Sequence, residues 1–347
     1  MSRAMPSISG MGVAQQRELP KYTHGMPHPP IPYFGKKTKA ASIVWKRLGR
    51  VHTFIDPCCG SIAVPLLSPY GAPHREVLND VLGHVCNFHR ALRDYPARTA
   101  RAADRPTVHQ DLGAATELLR DAEGALTDKL FDDLSWSDPE IAGLWAWAVC
   151  VSIGLGSSLS AGYESLQRYT PLELPEGPYA PRRQPIDEPA VDEEVSPVFD
   201  GKRLLPWFDA ISQRIRRTYI TSKDWSTLFS PAVLDLDHGG HRIAGIFFDP
   251  PYAGKEGVYA QGGDIAHDVF EWAVAHGDDP RFRICLAGYG DDYDAFPEGW
   301  TLETWTRQTG MEATAGERYD QASAMASRQE SLWFSPHCLS ATQGLLV

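Results

Sequence analysis

Two short stretches place chemistry-bearing residue types where a strand would end. The first, FFDPPY from Phe247 to Tyr252, closes an apolar run with a carboxylate, two prolines and a tyrosine. The second, FIDPCCGS from Phe54 to Ser61, closes one with Asp56 and Pro57 and enters a turn holding Gly60. An aromatic amine such as the exocyclic NH2 of adenine is a poor nucleophile, because its lone pair is delocalised into the ring. Accepting hydrogen bonds from both of its protons draws the nitrogen toward tetrahedral geometry and frees that pair. Asp249 can supply one acceptor and a backbone carbonyl the other. Proline fixes φ and carries no N–H, so Pro250 and Pro251 would hold that carbonyl outward. Tyr252 could then stack on a base that has left its duplex. Such chemistry needs neither a covalent nucleophile nor a metal. The bland alternative is a proline-terminated strand with a buried tyrosine.

The turn after Asp56 is followed by a second acid-ended run, REVLND (75–80), so that 80 − 56 = 24 positions separate Asp56 from Asp80. That is close to the spacing of about 20 residues by which a nucleotide-binding fold sets a carboxylate on ribose hydroxyls. The chain has no Gly-x-Gly-x-x-Gly, and an acid stands where a diphosphate would sit, which disfavours a nicotinamide dinucleotide. A cofactor with a cationic centre and an amino-acid tail, such as S-adenosylmethionine, suits that acid better.

These residues need a scaffold that delivers strand ends to one place. Runs at 50–56, 75–80, 216–224, 243–252, 281–289, 301–307 and 330–336 read as strands. Helical spacing marks 84–95 and 264–276, with further helical pieces at 111–126 and 139–151. Strands alternating with helices predict a mostly parallel sheet covered on both faces. In such sheets ligands bind beyond the carboxyl ends of the strands, where the acids lie. Residues 1–30, rich in Pro, Gly and Met, read as a lead-in, and 96–200 as an insertion that includes a Pro- and acid-dense tract from Thr170 to Val198. The catalytic part is then 31–95 with 201–340.

The length of 347 residues fits one large domain with an insertion or two domains. A net charge of −11 argues against generic polyanion binding, although Lys36, Lys37, Lys39, Lys46, Arg47 and Arg50 make a local basic cluster. The six cysteines contain no Cys-x-x-Cys, which points to a reduced intracellular protein. The charge-free run 141–163 holds four glycines and four serines and reads as a buried helix plus loop, not a membrane span. The pair in HGGH (238–241) could hold a metal by spacing, but without further ligands nearby it reads as part of a loop.

With DPPY after a strand, and FIDPCCGS and VLND before it, the chain resembles the DNA adenine-N6 methyltransferases of the Dam-like group. The resemblance covers roughly 32–95 and 203–338 and implies an α/β, Rossmann-like S-adenosylmethionine-dependent methyltransferase sheet with an inserted, mainly helical target-recognition domain. It implies Asp249, Pro250, Pro251 and Tyr252 as the catalytic residues. PYFGKKTKAASIVWKRLG (32–49) is similar to the family's opening element, which would bring Tyr33, Phe34, Gly35 and Lys37 to the cofactor with Asp56, Pro57, Gly60 and Asp80. ITSKDW (220–225) resembles the segment that holds the cofactor's adenine, adding Asp224 and Trp225. Double-stranded DNA is the implied partner, with Lys36, Arg168, Arg182 and Arg183 as candidate contacts, and the protein is expected to be a monomer or weak dimer. Ile62 stands where the family has a second glycine, and its side chain is expected to crowd the cofactor's methionine tail.

Cytosine carbon-five chemistry would use a Pro-Cys nucleophile after the fourth strand, and that position is Pro250-Pro251. Cytosine-N4 or RNA amino methylation, and a DNA-binding relative with weakened catalysis, stay open at this stage.

Overall fold

The structure is a computed structural model that describes residues 28–31, 37–106, 109–151, 201–202, 204–236, 241–250, 265–289, 293, 295–305 and 330–340. Among these, seven strands form one sheet: β1 (Thr53–Asp56), β2 (Arg75–Asn79), β3 (Tyr219–Thr221), β4 (Ala244–Phe248), β5 (Phe282–Tyr289), β6 (Thr301–Trp305) and β7 (Glu330–Phe334). Their order is β3-β2-β1-β4-β5-β7-β6. The first five pair in parallel, and β7 lies antiparallel between β5 and β6. This mixed α/β arrangement is compatible with a Rossmann-like fold.

Across the central strands both sheet faces are dry because successive residues serve opposite cores, while Tyr219 of β3 and Leu302 of β6 at the edges are exposed. Phe54, Leu78, Phe247, Cys285 and Ala287 join one cluster. Ile55, Val77, Ile246, Phe248, Ile284 and Leu286 join the other. The first cluster is covered by α1 (Ala41–Leu48), α3 (Gly83–Asp94) and α7 (Leu205–Ile215), with α2 (Ala63–Leu66) after the turn that follows β1. The second is covered by a 3-10 turn (Trp225–Phe229), α8 (Pro231–Leu234) and α9 (Ile265–His276).

Residues 96–151 of the predicted insertion form α4 (Pro96–Ala103), α5 (His109–Asp132) and α6 (Pro139–Val151). They stack on α3, and their buried Leu119, Leu130 and Trp145 belong to the same cluster as Phe54 of the sheet. Among the described residues this segment therefore has no core of its own. Gly143 lets α6 lie directly on α4, since a Cβ there would sit 2.6 Å from the Thr99 carbonyl oxygen. Residues 152–200 lie outside the described residues. No helix among the described residues is long and apolar enough to cross a membrane. All six cysteines are free thiols.

The strand readings hold in place and are shorter at those ends that are described, while 251–252 and 306–307 lie outside the described residues. Among the described residues, α1, α4, α7 and α8 have no counterpart in the sequence reading. The eight-residue α4, PARTARAA, shows why. Its arginines mark the exposed face, but the buried residues Thr99, Ala100 and Ala102 are too small to read as an apolar stripe, and packing against α6 is what covers them.

Candidate active site

β1 has β2 on one side and β4 on the other, so the chain reverses its direction of winding between them. A crevice opens beyond the carboxyl ends of strands at such a reversal. Asp56 is the last residue of β1, Asp80 follows β2 and Asp249 follows β4. The sheet thus gathers three acids separated by up to 193 positions (249 − 56).

Asp56 is 2% exposed. Its carboxylate accepts the Cys58 amide, while Oδ1 is buried with no hydrogen-bond partner among the described residues. Burial first, then the Asp249 charge, push its proton affinity well above the usual carboxylate range. An orphaned buried carboxylate oxygen is costly and calls for a cation or donor from outside the protein.

Asp80 closes the turn from the other side. Its Oδ2 accepts the Gly60 amide and its Oδ1 the Leu82 amide, each at 3.0 Å. Burial outweighs these two bonds and raises its pKa to about 6. The carbonyl of Gly60 accepts a hydrogen bond from His89 Nε2 at 2.7 Å. Burial lowers the His89 pKa to about 4, so the ring is neutral at pH 7 and its proton sits on Nε2. Both polar groups of Gly60 are therefore held by buried side chains.

Asp80 carries a testable pH dependence. Its folded pKa lies above the ordinary value, so between pH 3.8 and about 6 the folded state binds more protons than the unfolded chain. Stability from this group is present at low pH and falls as pH rises through that window. The expected loss is on the order of 3 kcal/mol at 1.36 kcal/mol per unit. Denaturation midpoints of wild type and Asp80→Asn, measured from pH 4 to pH 7, should diverge with the wild type losing ground. Parallel curves would refute the assignment.

Asn79 was not singled out from sequence, yet it stitches the site together. Its Nδ2 donates to the carbonyls of Pro57 (3.0 Å) and Lys223 (2.9 Å). Its Oδ1 accepts from the Lys223 amide (3.0 Å) and the Thr221 hydroxyl (2.8 Å). The signal was a buried amide ending an apolar strand beside Asp80, a position that demands partners. This network fixes the start of the Asp224–Trp225 segment against the turn after β1. The exposed Asp224 caps the 3-10 turn by accepting the Ser226 amide at 2.9 Å. Trp225 meets Phe248 edge-on at 6.0 Å, immediately before Asp249.

Lys37, assigned by resemblance to the cofactor, is buried and lies with Nζ 2.9 Å from Asp249 Oδ1. Pro250 follows as a buried residue. Tyr33, Phe34, Gly35, Lys36, Pro251, Tyr252, Arg168, Arg182 and Arg183 lie outside the described residues.

Ile62 adopts φ 53° and ψ 28°, the left-handed region that disfavours a β-branched residue. Its side chain is fully buried in the main cluster, whereas crowding of a cofactor would need it turned to the open side of the turn. The Ile62→Gly variant should relieve about 1 kcal/mol of backbone strain and lose about 3 kcal/mol of core packing. A net destabilisation in urea with an unchanged cofactor Michaelis constant is expected; a lowered constant would show crowding after all.

Compared with known protein families and with curated proteins, the chain matches none.

Proposed function

We propose that the chain is an S-adenosylmethionine-dependent DNA adenine-N6 methyltransferase. The observation that carries this reading is Asp56, a buried carboxylate with an orphaned oxygen between two further acids at the sheet's winding reversal. An anionic cofactor would be repelled there, whereas the amino and sulfonium charges of S-adenosylmethionine fit. Bound, the cofactor supplies an electrophilic methyl group. Asp56 would take the amino group, the Gly60 turn would leave room for the tail, and Asp80 would accept from the ribose diol. Each Asp80 oxygen retains a second lone pair beyond its backbone bond.

On the substrate side, Asp249 accepts one N–H of the amine and the Pro250 carbonyl the other. Lys37 holds Asp249 Oδ1 at 2.9 Å, which fixes the carboxylate's orientation before the base arrives. As the nitrogen forms its bond to carbon it gives up a proton, and Asp249 is the acceptor in contact with it. The target-recognition role of 96–200 belongs to the same reading. The helices α4–α6 would root that region on the catalytic sheet.

Incubation of unmethylated DNA with labelled cofactor, followed by nucleoside analysis, tests the reading with Asp249→Ala as control. Label in N6-methyladenine supports it. Label in a cytosine derivative, or DNA binding without label, would overturn it.

A further inference from the structure

The edge of the sheet opposite the three acids carries a second constellation. His52 and His74 each stand one residue before their strand, and the register Thr53↔Arg75 sets them side by side. Their rings stack at 4.5 Å between centroids. The Thr53 hydroxyl donates to the Leu234 carbonyl at 2.9 Å, bringing the next residue, Asp235, against His52. His52 Nε2 and Asp235 Oδ2 are 3.1 Å apart, and one ligating atom from each of His52, His74 and Asp235 lies within 4.8 Å of the others.

We propose that His52, His74 and Asp235 form a binding site for a divalent transition-metal ion of the zinc class. Two imidazoles and one carboxylate are a donor set such ions prefer. With metal–ligand bonds of about 2.0–2.1 Å, two ligands of a tetrahedral ion stand about 3.3 Å apart. The His52–Asp235 separation already matches that edge, and a small rotation of the exposed His74 closes the set. Asp235 Oδ1 is held by Arg242 Nη1 at 2.7 Å, which aims Oδ2 at the histidines as an outer partner orients a metal-binding carboxylate. Arg75 also faces Oδ2, at 3.8 Å, while its Nη1 donates to the carbonyls of Ala232 and Val233.

His52 and His74 also line a cavity of about 380 Å³ with Arg50, Tyr70 and His241. His241, the last residue of the HGGH stretch, borders the cavity and is not one of the three ligating groups. An ion held by the two histidines would border this cavity. The surrounding arginines favour an anionic ligand there, such as hydroxide. The ion would staple the starts of β1 and β2 to the segment leading into β4.

The test uses the full chain, freed of metal by chelation and titrated with zinc, then with cobalt. One equivalent of zinc should bind, and the cobalt complex should show nitrogen–oxygen ligand-field bands without a thiolate charge-transfer band. His74→Ala, at an exposed position that spares the fold, should weaken zinc binding at least about tenfold, and His52→Asn likewise. Unchanged affinity in both variants, or a thiolate band from the cysteines, would overturn the proposal.

Discussion

Asp249→Ala is expected to lower the rate of methyl transfer by about 10³-fold, within the range measured for loss of a positioned acid–base group. The loss should fall on kcat and on kcat/KM alike, because the contact that matters forms as the nitrogen becomes tetrahedral. Binding of DNA and of cofactor should change little. Asp249→Asn separates geometry from charge: it keeps the size and one acceptor but loses the anion that faces Lys37 at 2.9 Å. It should retain more activity than alanine and less than wild type. Single-turnover rates with saturating cofactor read all three proteins. A variant within tenfold of wild type would remove Asp249 from the chemistry.

Arg90→Ala should cost stability on a comparable scale, about 4 kcal/mol. The guanidinium is fully buried in α3 and donates only to backbone carbonyls. Nε donates to Ile220 (2.9 Å), Nη2 to Leu130 (3.0 Å), and Nη1 to Asp133 (2.8 Å) and Trp136 (3.2 Å). One planar fork thus joins β3 to the end of α5 and the turn beyond it. Removing it strands several buried acceptors, each worth about 1–3 kcal/mol when unsatisfied. Lysine has one nitrogen and no fork, so Arg90→Lys should recover less than half of the loss. Urea midpoints at constant slope measure both variants; a shift below 1 kcal/mol for alanine would refute this role.

The acids were legible because each ends an apolar run, a pattern local in sequence. The turn geometry around Gly60 was half legible. Its acceptor Asp80 could be named, whereas the His89 that holds its carbonyl sits on a helix 29 positions away. Lys37 was named through resemblance, but its partner depends on how α1 approaches the end of β4, which hydropathy does not encode. His52, His74 and Asp235 could not be grouped at all. Their proximity is a product of strand register and of one hydroxyl–carbonyl bond at Thr53, neither visible before the sheet order is known. The predicted separateness of 96–200 rested on a change of composition. Composition marks where residues differ, not whether their side chains enter a shared core, as Trp145 and Leu130 do.

The chain leaves α6 at Val151, and the described residues resume at Gly201, with 200 − 152 + 1 = 49 residues between. Both anchors rest on α4. Gly143 brings α6 onto it, and at Gly201 the backbone takes φ 78° where a Cβ would meet the Arg101 nitrogen at 2.5 Å. The Gly201 amide donates to the buried Asp104 Oδ2 at 3.0 Å, which pins the point of return. The exit of the chain at α6 and its return at Gly201 thus bear on one short helix, so a substitution that shifts α4 moves both points together.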